Sequence, residues 1–176
     1  MDTAVVVIDM INEFVYGKFG GERAQSVIPC IKRLLSYARE KSIPVVFLMD
    51  AHEEGDAELE VWGEHAMKGT EDSQIIDDLT PNPEDYFLEK SRYSSFHDTG
   101  LEKLLKDLGV KNLILVGVTT DICVKHSAAD AFFHGFKTII PRGCVNTVSD
   151  ELQERALKEM ADLYRAKIVD LEQVID

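Results

Sequence analysis

Short runs of consecutive apolar residues alternate along this chain with longer stretches in which apolar positions recur every three or four residues. The runs fall at residues 4–8, 44–49, 86–88, 113–118, 138–140 and 166–169, and each reads as a buried strand. Between them, residues 22–41 carry Val27, Ile31, Leu34, Leu35 and Ala38 on one stripe, and residues 100–108, 121–134 and 149–164 repeat the same helical spacing. Uninterrupted apolar strands separated by amphipathic helices predict an α/β fold, a parallel sheet of six strands covered on both faces in three layers, α/β/α. Residues 51–82 break the pattern: they are rich in charge and lack a clear period, although 73–79 could form a short helix. They hold two of the five histidines and the only tryptophan, and a loop that long inside a compact domain points to function.

Composition narrows the class. With 176 residues, 45% of them hydrophobic, the chain can bury one sizeable core, which predicts a single domain over 1–176 with a functional loop insertion at about 51–82. No apolar run reaches the roughly 18 residues of a membrane span, and MDTAVVVIDM lacks the basic flank of a secretory leader. A soluble, cytoplasmic protein is expected. Three cysteines form neither a paired framework nor a CxxC knuckle, so the expectation is reduced thiols, with Cys30 and Cys144 inert. A net charge of −13 opposes nucleic acid and anionic membrane and favours a small-molecule substrate, although it also fits a merely well-solvated surface.

The stretch LILVGVTTDICVKHSAADAFFHGF then adds chemistry, because an apolar strand breaks at Gly117 and restarts as a helix with Cys123 in its first turn. In open parallel sheets, ligands bind outside the carboxyl ends of the strands. Asp9 follows the first strand, Lys90 the third, and Cys123 opens the helix after the fourth. A nearby ammonium and free helix N–H groups would lower the thiol pKa, and a carboxylate would move its proton, so the three fit a nucleophile, its electrostatic partner and its acid–base. Taken singly, each has a plain structural reading: a turn cap, a surface lysine and a small buried hydrophobe. His126, three residues after Cys123, is expected to be a packed or surface histidine, and Ala128, Ala131 and Phe132 are expected in the core.

The segments VVVIDMINEFV, LEKSRYSSFHDTGLEKLL and GVTTDICVKHSAADAFFHGF resemble, in order and separation, the three signatures of the isochorismatase-like cysteine hydrolases, the family of nicotinamidases and N-carbamoylsarcosine amidases. The resemblance implies a Rossmann-like sheet in the order 3-2-1-4-5-6, the catalytic triad Asp9, Lys90 and Cys123, a cis peptide at Val118–Thr119 and an oxyanion hole from the N–H groups of Thr119 and Cys123. In that order Lys90 must reach in from a strand further off. The resemblance also implies a homo-oligomer, dimer or tetramer, and no organic cofactor.

Within the long loop, Asp50, His52, Glu58 and His65 suit Zn²⁺, Mn²⁺ or Fe²⁺, although acidic loops with histidines are common and usually just solvated. The family adds weight, because nicotinamidases resemble this region through an Asp-x-His pair and a later His. On the same resemblance Phe14 and Trp62 match positions that wall the ring, and Tyr93 and Val118 are further substrate-binding candidates; ordinary core packing is the plain alternative, stronger for Phe14 than for Trp62 in its polar loop. The sequence departs from the usual nicotinamidase in its shorter loop, in WGEH, and in the RYSSF that follows Lys90 almost at once. Arg92 could hold a substrate carboxylate, but pairing with neighbouring acids is expected. The reading is therefore a cysteine amidohydrolase that releases ammonia, with nicotinamide first and an N-carbamoyl compound such as N-carbamoylsarcosine second. A binding or assembly module without catalysis is the alternative of another class, and Cys123 speaks against isochorismate hydrolysis.

Overall fold

In this computed structural model, which describes residues 2–175, β1 (Thr3–Ile8) runs through the centre of a parallel sheet. Its buried apolar side chains alternate between faces as strand geometry requires. Ala4, Val6 and Ile8 join one core cluster with Leu105, Ala128 and Leu157, while Val5 and Val7 join the other with Ile31, Leu34 and Ala38. β2 (Val45–Asp50) and β4 (Asn112–Val118) flank β1, β3 (Tyr86–Lys90) lies outside β2, and β5 (Lys137–Pro141) and β7 (Lys167–Val169) complete the other side. The order 3-2-1-4-5 followed by the last strand is thus as expected. A two-residue β6 (Val145–Asn146), which the sequence pattern did not announce, pairs with β4 at Gly117 and Val118.

The helices cover both faces, with differences that have local causes. The helix expected over 22–41 is two, α2 (Glu22–Gln25) and α3 (Ile28–Glu40), after the short α1 (Asn12–Val15). Pro29 stands in the first turn of α3; it has no N–H for the carbonyl four residues earlier, so it begins a helix and cannot continue one. Residues 73–79 form no single helix but end one 3₁₀ turn, Glu71–Ser73, and hold another, Asp77–Leu79. The same loop contains α4 (Ala57–Trp62). Beyond it come α5 (Leu101–Asp107), α6 (Lys125–Phe133), α7 (Asp150–Tyr164) and α8 (Glu172–Ile175). Ser149 caps α7, its hydroxyl accepting from the Leu152 N–H at 3.2 Å.

Two expectations fail. Phe132 is 38% exposed and clusters with Phe133 and Tyr164 on the surface, because α6 turns the small residues Ser127, Ala128 and Ala131 inward. Cys30 and Cys144 are not free thiols: α3 and the turn after β5 bring them into a disulfide, S–S 2.04 Å, across a sequence separation of 114. Cys123 is the free cysteine, so the expectation of reduced thiols holds for it alone. Among the described residues no helix is long and apolar enough to cross a membrane.

Candidate active site

Three strand ends converge above the sheet. Asp9 leaves β1 in a left-handed conformation (φ 53°), which aspartate tolerates better than most residues, and its Oδ1 accepts from the Asp50 N–H at 3.0 Å. Lys90 is the last residue of β3 and pairs in register with Asp50. Its stem crosses the β2 end, placing Nζ 2.8 Å from Asp9 Oδ2, in contact with Asp50 Oδ1 and 3.7 Å from Cys123 Sγ. Nζ also donates to the Arg92 carbonyl at 3.2 Å. The lysine therefore reaches across two strand positions, as the sheet order demanded.

Cys123 is not in the first turn of an α-helix. It lies in a π-helical turn, Thr120–Val124, inserted between β4 and α6, with the Val124 N–H donating to the Thr119 carbonyl at 3.2 Å. β4 can deliver this turn beside Asp9 because Gly117 has no side chain. A Cβ there would lie 2.0 Å from the Ile8 carbonyl oxygen, at φ +116°. The next peptide, Val118–Thr119, is cis, as the resemblance implied.

Charge and burial set the protonation. Burial first, and then the Asp9 and Asp50 carboxylates, push the Cys123 thiol well above its ordinary pKa, and Lys90 only partly opposes them. This corrects the expectation of a depressed thiol pKa: the resting group is a neutral thiol. Burial and the Asp50 charge raise Asp9 to about 6. Burial also opposes the charged forms of Lys90 and Asp50, but their mutual attraction prevails, holding Lys90 above the usual range and Asp50 below it.

Asp50 borders a second cluster. Asp50, His52, Glu58 and His65, all buried, each offer a donor atom within 4.8 Å of the others. His52 Nε2 lies 3.6 Å from Asp50 Oδ2 and 3.9 Å from Glu58 Oε2 and has no hydrogen-bond partner. Two carboxylates facing an orphaned imidazole nitrogen call for a positive charge, which either a proton on His52 or a divalent cation can supply. Burial pulls His52 toward the neutral form, but the neighbouring carboxylates outweigh it, and burial and the Asp50 charge raise Glu58 to about 7. The donor set, two nitrogens and two carboxylates, fits a borderline divalent ion.

Asp9, Cys123, Asp50, Glu58 and His65 border a cavity of ≈ 330 Å³ whose walls include all four expected substrate-binding residues, Phe14, Trp62, Tyr93 and Val118, together with Thr119. Trp62 Nε1 donates to the Tyr93 hydroxyl at 3.0 Å. Phe19, which the sequence did not reveal, packs edge-on against Trp62 and His65 at 6.0 and 5.5 Å. Ile122, Val148 and Leu152 were missed as well. The charged residues in the walls are acids, and among the described residues no Arg or Lys lines the cavity. Arg92 pairs with Asp56 at 3.4 Å, as expected, and His126 is exposed, its ring nitrogen donating to the Ile122 carbonyl at 2.7 Å. A larger groove of ≈ 440 Å³ lies at the opposite strand ends, among Phe132, Lys137, Tyr164, Arg165 and Lys167, far from the nucleophile.

A family profile described as "Isochorismatase domain" matches residues 3–173. The chain belongs to the isochorismatase family. Among solved structures, this isochorismatase-family chain is similar to N-carbamoylsarcosine amidase from Thermoplasma acidophilum, with 33% identity over 98% of each chain and a TM-score of 0.92. It is similar to nicotinamidase PncA from Bacillus subtilis, with 31% identity, 97% and 100% of the chains covered and a TM-score of 0.91. Pyrazinamidase of Pyrococcus horikoshii, a structure in complex with zinc, matches at 28% identity over 97% and 99% of the chains, TM-score 0.89. Family members are hydrolases of amide and other C–N bonds, and these neighbours differ in substrate.

Proposed function

We propose that this isochorismatase-family protein is a cysteine amidohydrolase that cleaves the C–N bond of a small neutral amide, nicotinamide first, through a thioester. The observation that carries the reading is the adjacency of two clusters, Asp9, Lys90 and Cys123 beside Asp50, His52, Glu58 and His65, which present Asp9, Cys123, Asp50, Glu58 and His65 to one aromatic cavity.

Because the resting thiol is neutral, proton transfer accompanies attack. Asp9 takes the Sγ proton while sulfur bonds to the amide carbon and Lys90 holds the negative charge that develops. The N–H groups of Thr119 and Cys123 are the donors assigned to the oxyanion. When the C–N bond breaks, the proton passes from Asp9 to the departing nitrogen and ammonia leaves. Water, deprotonated by Asp9, then attacks the thioester carbon, the S–C bond breaks, Asp9 returns its proton to sulfur, and the carboxylic acid product departs and ionises in solvent. Asp50, His52, Glu58 and His65 would hold a divalent ion, Zn²⁺, Mn²⁺ or Fe²⁺. Bound there, it would supply Lewis-acid anchoring of a ring nitrogen or of water. The zinc complex of the pyrazinamidase neighbour supports that assignment. Phe14, Phe19 and Trp62 would wall an aromatic ring.

An N-carbamoyl acid such as N-carbamoylsarcosine is the second reading, favoured by the Thermoplasma acidophilum neighbour. Its carboxylate would need a cation, and Arg92, the candidate the sequence offered, pairs with Asp56 and is not among the wall residues. A binding or assembly module would have no use for three converging triad side chains. The test is ammonia release from nicotinamide and from N-carbamoylsarcosine by metal-stripped protein, with and without added Zn²⁺ or Mn²⁺. Metal-dependent release from nicotinamide is expected, lost by at least about 10³-fold in Cys123→Ala with the fold intact; full activity in that variant would sink the scheme.

A further inference from the structure

Both imidazoles of the four-donor cluster have their outer nitrogens committed. His65 Nδ1 lies 2.8 Å from the Gly63 carbonyl, and His52 Nδ1 lies 3.2 Å from Asp56 Oδ2. A carbonyl and an ionised carboxylate only accept, so each ring donates from Nδ1 and leaves Nε2 for the cluster. For His65 the orienting group is backbone and comes with the turn. For His52 it is a side chain, and that side chain has given up another task. Asp56 occupies the N-cap of α4, where aspartate ordinarily accepts from the helix's own first N–H groups, yet it makes no capping bond. Its Oδ2 instead faces His52 and accepts from the Glu53 N–H at 2.9 Å, while Oδ1 faces Arg92 at 3.4 Å. Arg92 in turn gives its carbonyl to Lys90 Nζ.

We propose that Asp56 is a positioning residue of the metal site, holding His52 in the Nδ1–H tautomer with Nε2 aimed at the ion. Arg92 braces Asp56 from outside and joins it to the triad lysine. The assignment rests on reading Asp50, His52, Glu58 and His65 as a divalent-metal site. Asp56 also fixes the start of α4, which carries Glu58 less than one turn later, so one carboxylate sets two of the four donors.

The test titrates chelator-stripped wild type, Asp56→Ala and Asp56→Asn with Co²⁺, following its visible absorption, and measures affinity by chelator competition. Metal-free melting temperatures are recorded alongside. Asp56→Ala is expected to bind Co²⁺ about 10–100-fold more weakly, with a changed spectrum. Asp56→Asn is expected to lose less, because its carbonyl still accepts from His52 while its NH₂ opposes Arg92. A turn-closing role alone would lower the metal-free melting temperature and leave affinity and spectrum at wild-type values, and that result overturns the proposal. If Asp56→Ala does not fold, unchanged Co²⁺ binding in Asp56→Asn overturns it equally. Wild type that takes up no Co²⁺ overturns the metal reading itself, and this assignment with it.

Discussion

Cys123 lies 3.7 Å from an ammonium and still rests as a thiol, because burial and two carboxylates outweigh one lysine. The pH dependence should therefore belong to the base and not to the nucleophile. Asp9 must be ionised to accept the proton, and its pKa stands at about 6, against roughly 4 for an exposed aspartate. Activity is present above that value and lost as pH falls through it. The prediction is an acidic limb in kcat/KM for nicotinamide with an apparent pKa near 6 in weakly loaded protein. A cation held by Asp50 would cancel part of the charge that raises Asp9, so saturating metal should move the limb toward lower pH. A profile flat from pH 8 to pH 5 would remove Asp9 as the base.

At the scale of elements, β4 meets the end of β1 backbone on backbone at Gly117. An alanine Cβ would stand 2.0 Å from the Ile8 carbonyl oxygen, and the left-handed φ disfavours it further. Gly117→Ala should cost roughly 2–4 kcal/mol by denaturant midpoint and at least about 100-fold in turnover, since Asp9 and Cys123 are carried by the two strands forced apart. A variant with wild-type midpoint and rate would show that this contact does not set the site. The strands were legible because a buried parallel strand is an unbroken apolar run. Asp9, Lys90 and Cys123 were legible because strand ends are where such sheets place chemistry. Less could be read where tertiary contacts override local pattern. The π turn at Cys123 spans only five residues at the head of α6, too few to disturb the apolar period that announces a helix. Phe19 sits in a polar turn with no period, and its partners Trp62 and His65 come from a distant loop. Pro29, by contrast, was a visible signal for the helix break that the apolar stripe across 22–41 masked.

Across the whole molecule, the odd cysteine count concealed a pairing that only the fold discloses. One cysteine is the candidate nucleophile, and the other two, neither of them chemical in role, close a cross-link between α3 and the turn that leads into β6. That turn matters because β6 pairs with the end of β4, and Thr147 and Val148 just after it line the cavity. The disulfide therefore ties the helical layer on one face to a wall of the site. Closing so long a loop restricts the unfolded chain, and on the chain-entropy account removing it costs roughly 2–4 kcal/mol. The double variant Cys30→Ser, Cys144→Ser should lose that much by denaturant midpoint and gain nothing from reductant, whereas the parent should fall toward it when reduced. Turnover at 25 °C should change less, by under about tenfold, because β1, β3 and β4 hold the triad without the cross-link. Thiol titration of denatured, unreduced protein gives the direct check: one reactive thiol per chain is expected, and three would mean that Cys30 and Cys144 stand close without bonding.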